Sequence, residues 1–250
     1  MKTHSSNVRK AHELQHGKFL APNAIEIWGW GTPAGQERAK RRSKLLLEHA
    51  HIQAGMNVLE YGCGTGLFSR QLATSGAHLI SIDLSPDLIA EAKKVSTANI
   101  TYVVGDIELL DYSADSFDAV VGSSVLHHVD FTKALMEAYR VLKPGGRVAF
   151  AEPNMMNPQI ALQKNVSFIK RRVGDSPDET AFFRWRIRNT LKEIGFTNIV
   201  VTPHDFLHPS IPVGLIPFVK MCGNILESTP LVREIAGSLL FAGTKPPSAS

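Results

Sequence analysis

The chain has 250 residues, of which 44% are hydrophobic and 20% are charged, an ordinary mixture for a folded protein that excludes general disorder. At about 100–200 residues per domain, this length allows one large domain or two small ones. The chain has only 2 cysteines, Cys63 and Cys222, so a disulfide framework is excluded and a reducing cytoplasm is expected. The apolar stretch 211–219 is too short to cross a bilayer, which takes about 20 residues. The first residues carry positive charge without an apolar run after it, so we expect no secretory signal.

The net charge of +4 is unevenly distributed along the chain. Residues 1–56 hold 9 basic and 4 acidic side chains, whereas the remainder is nearly balanced. One basic group lies at 37–44, and a second spans 164–188, centred on Lys170-Arg171-Arg172. These groups are either solvated helix faces or a surface that attracts an anion such as a phosphate, a carboxylate or a nucleic acid.

Strands and helices alternate in the predicted elements between residues 57 and 152. The pattern predicts strands and helices in the order 57–61 (strand), 67–74 (helix), 78–84 (strand), 86–95 (helix), 100–104 (strand), 117–122 (strand), 130–142 (helix) and 147–151 (strand). Ser85 and Pro86 are typical of a helix N-cap and first helical position. Such alternation predicts a parallel sheet covered on both faces, with any ligand at the carboxyl ends of the strands.

The pattern loosens after Glu152. A helix is predicted over 177–194, with Asp178 and Glu179 in its first turn, and strands are predicted over 198–202 and 239–243. The intervening residues 203–237 contain five prolines and the apolar stretch. We interpret this segment as a lid-like insertion.

A glycine-rich loop follows the first predicted strand, in the run Glu60-Tyr-Gly62-Cys-Gly64-Thr-Gly66. Glycines at these positions allow a tight turn and a close approach of ligand to backbone. The spacing differs from the G-x-G-x-x-G of dinucleotide-binding proteins and lacks the lysine of a P-loop. NAD, FAD and nucleotide phosphates are therefore disfavoured as ligands.

Three successive strands each bring an acid to the same edge of the predicted sheet: Glu60, Asp83 and Asp106. An acid at the end of the second strand can accept hydrogen bonds from both hydroxyls of a ribose. A ligand that meets acids and glycines without a phosphate cradle should carry positive charge. S-adenosylmethionine combines a sulfonium, an ammonium and an adenosine, and it fits this pattern.

Five segments in order resemble the class I S-adenosylmethionine-dependent methyltransferases of the small-molecule type, similar to methyltransferase type 11: VLEYGCGTG, SIDLSPDLI, GDIELL, FDAVVGSSVLHHV and EAYRVLKPGGRVAFAEP. The match covers roughly residues 55–155. The resemblance implies an α/β fold, a Rossmann-like three-layer αβα sandwich with a seven-stranded, mostly parallel sheet and an antiparallel last strand. We expect one domain over 1–250, with a helical cover at 1–55, the cofactor-binding core at 56–155 and an acceptor half at 156–250.

The resemblance also implies binding roles for residues of these segments. The implied contacts are Glu60 and the backbone of Gly62, Cys63 and Gly64 at the methionine end, Asp83 on the ribose, Leu84, Asp106 and Ile107 around the adenine, and backbone carbonyls of Ser123 or Ser124 on the ammonium. Gly66 of the glycine loop is also a candidate cofactor-binding residue. Other roles stay open for the acids: Glu60 as a cap of the glycine turn, Asp83 as a helix N-terminal acid, and Asp106 as a turn residue. Cys63 is read as a small loop residue rather than a nucleophile.

His127 and His128 follow the fourth strand and are the candidate bases for deprotonating a methyl acceptor, with His128 preferred. The alternative is that the pair only packs the loop. His204, His208 and Glu152 are weaker candidates. No histidine, cysteine and acid cluster has metal-ligand spacing, so no metal is expected.

Two tryptophans precede the basic helix and are candidates for the wall of the pocket, namely Trp28 and Trp30. Arg38 or Arg42 could then meet a carboxylate of the acceptor. Ordinary packing and surface charge are the alternative for all four residues.

The predicted activity is transfer of a methyl group to an oxygen, nitrogen or carbon of a small molecule, with S-adenosylhomocysteine as the second product. The chain lacks the [DN]-P-P-[YFW] signature of amino-methylating nucleic-acid enzymes and the paired glutamates of protein arginine methyltransferases, so no nucleic acid is expected as a partner. The apolar stretch favours an apolar acceptor and the basic groups an anionic one. An RNA or protein methyltransferase and a non-catalytic cofactor-binding protein remain as alternatives, and the oligomeric state stays open.

Overall fold

A seven-stranded sheet forms the centre of the computed structural model, which describes residues 6–172 and 179–248. Its strands are β1 (Asn57–Tyr61), β2 (His78–Asp83), β3 (Ile100–Val104), β4 (Phe117–Ser123), β5 (Leu142–Pro153), β6 (Thr197–His204) and β7 (Ser238–Thr244). Their order across the sheet is β3-β2-β1-β4-β5-β7-β6. β7 is antiparallel to both of its neighbours, and the pairs from β3 to β5 are parallel. The predicted seven-stranded, mostly parallel sheet with an antiparallel last strand is confirmed.

Helices flank the sheet on both faces. They are α1 (Ser6–Leu20), α2 (Ala24–Ile27), α3 (Pro33–His49), α4 (Leu67–Leu72), α5 (Pro86–Lys94), α6 (Phe131–Val141), α7 (Pro158–Asn165), α8 (Ser167–Arg172), α9 (Arg184–Ile194) and α10 (Ile216–Ser228). Short 3₁₀ helices lie at Ala21–Asn23, Ala73–Ser75, Leu126–His128, Val213–Leu215 and Val232–Ile235. No helix within the described ranges is both long and apolar enough to span a membrane.

Two hydrophobic cores, one on each face of the sheet, hold these layers together. Side chains alternate between the faces of a strand, so Val58 packs with Leu46 of α3 while the next residue, Leu59, packs with Leu135 of α6 and Leu191 of α9. Each of these five side chains is fully buried. The three-layer αβα arrangement that the sequence predicted is therefore present.

The predicted start of α5 is confirmed in atomic detail. The Ser85 hydroxyl accepts a hydrogen bond from the backbone N–H of Leu88 at 3.3 Å, and Pro86 is the first helical residue. This cap satisfies one of the backbone donors that a helix start leaves unpaired.

The predicted helix 177–194 is wrong at its beginning, because α9 starts at Arg184. Phe182 instead pairs with the end of β5, where its N–H donates to Pro153 O at 3.0 Å and its carbonyl accepts from Met155 N at 2.8 Å. This pairing holds the backbone extended, and the buried Phe182 ring anchors it in the core. Pro177 and Asp178 lie outside the described residues, and Glu179 belongs to no helix.

Candidate functional site

A cavity of about 350 Å³ opens at the carboxyl ends of the central strands. Of the residues that the resemblance assigned to the cofactor and of the two candidate bases, all but Glu60 and Gly66 lie on its wall. The predicted residues on its wall are Gly62, Cys63, Gly64, Asp83, Leu84, Asp106, Ile107, Ser123, Ser124, His127 and His128. A cavity at this edge is where parallel α/β sheets bind their ligands.

The glycine loop forms one wall, and two of its glycines are required by their surroundings. Gly62 and Gly64 both have positive φ angles, 63° and 53°. A Cβ on Gly62 would lie 2.3 Å from a methyl carbon of Val125, and one on Gly64 would lie 3.0 Å from the Trp28 ring. Cys63 between them is buried, and burial raises the pKa of its thiol well above its usual range, so the neutral thiol is the stable form. This agrees with the interpretation of Cys63 as a small loop residue rather than a nucleophile.

Asp83 links the glycine loop to the start of α5. One carboxylate oxygen accepts from Gly64 N and the other from Ser85 N, each at 2.9 Å. Burial raises the pKa of Asp83, and the two N–H donors partly offset that shift. Each carboxylate oxygen can accept a further hydrogen bond, so Asp83 can still bind ligand hydroxyls.

Asp106 and its neighbour Glu108 hold helix α1 against the cavity. Lys10 Nζ lies 2.5 Å from Asp106 Oδ2, and Arg9 forms an ion pair with Glu108. The other oxygen of Asp106 accepts from Glu108 N at 2.8 Å. The N-terminal helix thus contributes residues to the wall, including Arg9, Lys10 and Glu13.

Glu60 is buried at the end of β1, away from the cavity wall. Its Oε2 accepts a hydrogen bond from the Ser81 hydroxyl at 2.7 Å. Burial raises the pKa of Glu60 to about 7, and the Ser81 hydrogen bond only partly opposes the shift. Near neutral pH this carboxyl is therefore divided between its two protonation states.

The two arginines that were candidates for an acceptor carboxylate face groups of the protein itself. Arg42 is 3% exposed and donates through Nη1 to the hydroxyls of Ser123 and Ser124, at 3.1 and 2.9 Å. Arg38 Nε donates to Asp205 Oδ2 at 2.7 Å. Burial lowers the pKa of Arg42 to about 10, so it stays protonated at neutral pH. Arg42 therefore holds the end of β4 in place through its hydrogen bonds to the two serines.

Both tryptophans line the cavity, as the sequence suggested. The Trp30 ring meets Phe68 edge-on with centroids 5.4 Å apart. The guanidinium carbons of Arg38 and Arg42 lie 5.3 and 5.2 Å from the Trp30 centroid, within cation–π distance. The orientation of Trp30 is thus set by α3 on one side and by α4 on the other.

A buried histidine–glutamate pair lies at the inner end of the cavity. His127 Nδ1 is 2.7 Å from Glu152 Oε2, and Glu152 Oε1 accepts from the backbone N–H groups of Val125 and Leu126, each at 2.9 Å. Burial raises the pKa of Glu152, but the hydrogen bond with His127 and these N–H donors outweigh it and lower that pKa overall. Glu152 is therefore a carboxylate, although it is fully buried.

The protonation of His127 follows from this environment. Burial lowers its pKa, and the nearby charge of His128 lowers it further. A neutral imidazole beside a carboxylate donates its Nδ1 hydrogen, which leaves the lone pair on Nε2. His127 thus has the tautomer that a general base needs.

His128 differs from its neighbour, although the two rings lie 4.1 Å apart. Its Nδ1 lies 3.0 Å from Glu13 Oε2 and 3.7 Å from Glu179 Oε1. Burial lowers the pKa of His128, but the two carboxylates outweigh burial and raise it to about 9. His128 is a cation at neutral pH, so the geometry favours His127, not the sequence-preferred His128, as the base.

One group of metal-type side chains exists among the described residues. Single ligand atoms of His127, His128 and Glu179 lie within 4.8 Å of one another. The Lys164 ammonium lies 2.6 Å from Glu179 Oε2, and His128 is itself positive. Two cations already balance this carboxylate, which disfavours a divalent metal there.

Several residues of the site were not predicted from the sequence, namely Glu13, Lys164 and Glu179, while Glu152 was ranked below the histidines. Glu152 follows directly after Ala151, which pairs with Ser123 of β4. Because β4 and β5 are neighbours, their pairing could have indicated that Glu152 lies beside the histidines that follow β4. The other three come from α1, α7 and an extended segment, and no motif marks them. Among the weaker candidates, His204 is buried and His208 hydrogen-bonds Ser210, and neither lines the cavity.

Comparison with known proteins agrees with this geometry. The family described as methyltransferase domain matches residues 59–150. The chain is 38% identical over 159 residues to a ubiquinone biosynthesis O-methyltransferase of Xanthomonas oryzae pv. oryzae, covering 60% of this chain and 65% of that one. It is 39% identical over 119 residues to a demethylmenaquinone methyltransferase of Corynebacterium efficiens, covering 47% and 50%. A malonyl-[acyl-carrier protein] O-methyltransferase of Erwinia billingiae is 38% identical over 107 residues, covering 42% of each chain.

The chain thus spans 42–65% of the length of these curated relatives. Among solved structures, a methyltransferase from Mesorhizobium loti shares the fold with a TM-score of 0.61 at 21% identity, covering 82% of this chain and 97% of that one. Residues 59–150 thus match the family described as methyltransferase domain. The resemblance found in the sequence is confirmed.

The raised pKa of Glu60 predicts a specific dependence of stability on pH. An acid whose pKa rises from 4.5 in the unfolded chain to about 7 in the folded chain weakens the fold as pH increases through that interval. Glu60→Gln keeps an acceptor for Ser81 but carries no charge, so its stability should not show this dependence on pH. The difference in free energy of unfolding between Glu60→Gln and the wild type should shift by about 2–4 kcal/mol in favour of the variant between pH 4.5 and pH 8.

Urea unfolding at a series of pH values measures this effect. Glu193→Gln, at an exposed glutamate of α9, is the matched control and should follow the wild-type curve. A Glu60→Gln protein with the wild-type pH dependence would show that Glu60 is ionised in the folded state.

Proposed function

We propose that this chain is an S-adenosylmethionine-dependent methyltransferase that acts on a small molecule, with His127 as its general base. The observation that carries the proposal is that one cavity contains both the acid- and glycine-lined edge of the sheet and His127, which is paired with Glu152. The names of the relatives, which include enzymes of ubiquinone and menaquinone biosynthesis, support a small-molecule acceptor.

The residues at this edge fit the proposed cofactor. Asp83 and Asp106 offer carboxylate oxygens for hydroxyl and amino donors, and Gly62 and Gly64 let the ligand approach the backbone. The apolar side chains of Leu84 and Ile107 line the same wall and suit an adenine ring. The net negative charge of this edge favours a cationic ligand over a dinucleotide.

S-adenosylmethionine, when bound, supplies an electrophilic methyl group on a positively charged sulfur. The protein then has to orient the acceptor and remove its proton. His127 Nε2 can take that proton, and the Glu152 carboxylate stabilises the imidazolium that results. Such general-base assistance contributes about 10²- to 10⁴-fold in rate.

The cavity supports an apolar acceptor better than an anionic one. Its walls include Leu20, Ile25 and Ile27 together with both tryptophans. The cationic side chains on the wall already contact carboxylates of the protein: Arg9 with Glu108, Lys10 with Asp106, and Lys164 with Glu179. An anionic acceptor would have to compete with these pairs.

We also propose that the chain acts as one domain in the cytoplasm, with α1–α3 as the cover of the site. The ion pairs from α1 to Asp106 and Glu108 support the cover, and the free cysteines Cys63 and Cys222 support a reducing compartment.

Replacing Asp83 tests the cofactor site. Asp83→Asn should weaken S-adenosylmethionine binding about 10- to 100-fold, because a charged acceptor is lost. Isothermal titration calorimetry measures the affinity, and Asp87→Asn, at an exposed acid of α5, is the matched control. Because Asp83 also holds the glycine loop, Asp106→Asn is the second variant. Wild-type affinity in both variants would contradict the site.

Replacing His127 tests the catalytic assignment. With labelled S-adenosylmethionine and a small-molecule metabolite extract, the wild type should transfer label, and His127→Gln should lower the rate about 10²- to 10⁴-fold while keeping cofactor affinity. Since the pKa of His127 is lowered, the rate should hold until the pH falls below 6.5, where protonation removes the base.

His78→Gln, at an exposed histidine of β2, is the control for this assay and should retain the wild-type rate. Full activity in His127→Gln would remove His127 from the mechanism. Failure of the wild type to transfer label to any fraction would contradict the proposed function as a whole.

A further inference from the structure

Helix α10 presents a stripe of large apolar side chains to the outside of the protein. Phe218, Met221 and Ile225 are 60%, 55% and 61% exposed. Their spacing of three and four residues places them on one face of the helix. The opposite face packs inward through Ile216 and Gly223, which are buried.

The stripe continues into the 3₁₀ helix that precedes α10. Val213 and Leu215 of that turn are also exposed. We refer to Val213, Leu215, Phe218, Met221 and Ile225 as the α10 surface. The surface is part of the residues 203–237 that the sequence marked as a lid-like insertion, but none of its five side chains lines the cavity of the proposed active site.

Basic side chains flank this helix on the side of α3. A groove of about 290 Å³ runs between α3 and α10, and Lys40, Lys44 and Lys220 line it. All three lysines are exposed. They belong to the basic group at 37–44 and to α10 itself.

The acidic side chains of the same groove are matched by cations. Glu227 accepts two hydrogen bonds from the Arg41 guanidinium, and Glu37 lies 2.6 Å from Lys220 Nζ. Asp205 pairs with Arg38. Lys40 and Lys44 lie 3.6 and 3.8 Å from Glu37 and Glu48. The five basic side chains that line the groove still outnumber its three acidic ones, so it has a net positive charge beside an apolar helix face.

We propose that the α10 surface binds the face of an anionic phospholipid bilayer. A helix with an apolar stripe and neighbouring lysines can insert the stripe among the acyl chains while the lysines meet the anionic headgroups. The positive charge favours an anionic bilayer over a second copy of this chain, because a second copy would bring the same lysines to the contact. The α10 surface would thus lie on a membrane rather than span it.

Vesicle sedimentation with the full chain tests this proposal. The protein should pellet with phosphatidylcholine vesicles that contain phosphatidylglycerol and not with phosphatidylcholine alone, and added salt should release it. The triple variant Phe218→Ser, Met221→Ser, Ile225→Ser should lower the partition coefficient by at least about tenfold. The variant Lys40→Gln, Lys44→Gln should weaken binding to the anionic vesicles and make it less sensitive to salt.

Met136→Ser is the matched control, since Met136 is an exposed methionine of α6 on the other face of the sheet. This variant should bind as the wild type does, and unchanged cofactor affinity in all variants confirms that they are folded. Absence of vesicle binding by the wild type would overturn the proposal, as would equal binding by the triple variant. Self-association that the triple variant abolishes, without vesicle binding, would assign the surface to a second copy instead.

Discussion

The hydrogen-bonded carboxylate of Glu152 is the interaction on which the site depends. It stands at the end of β5 with no exposed surface, and its charge is stabilised by two backbone N–H groups of the neighbouring loop and by His127. Removing a carboxylate from water is costly unless donors of this kind surround it. The loop after β4 is therefore held to β5 by the same group that sets the tautomer of His127.

The adjacent strand ends add the second half of the site. Because β1, β2 and β3 run parallel, their carboxyl ends bring the glycine loop, Asp83 and Asp106 to one edge. Helix α1 then covers this edge through ion pairs to Asp106 and Glu108. Glu13 of the same helix also raises the pKa of His128, which makes that ring a cation. Helix α1 therefore sets the charge of the cavity wall next to His127.

The fold and the residues of the proposed cofactor edge could be predicted from the sequence because their determinants are local. Ser85 and Pro86 mark the start of α5, and glycines and acids at strand ends mark the edge itself. The beginning of α9 could not be predicted, since Phe182 is held extended by its pairing with β5, a contact between residues far apart in the sequence.

The choice between the two histidines was not predictable for a similar reason. It depends on which carboxylates surround each ring, and Glu13 and Glu179 are distant from the histidines along the chain. The sequence shows two adjacent histidines after a strand. In the structure, His127 is neutral and His128 is positively charged at neutral pH.

Nitrogen-15 NMR of the histidine side chains, recorded across a pH series, reports the protonation state of each ring directly. We expect that at pH 7.5 His127 is neutral with its proton on Nδ1, while His128 carries protons on both ring nitrogens and titrates near pH 9. A protonated His127 beside a neutral His128 at that pH would contradict the assignment of His127 as the base.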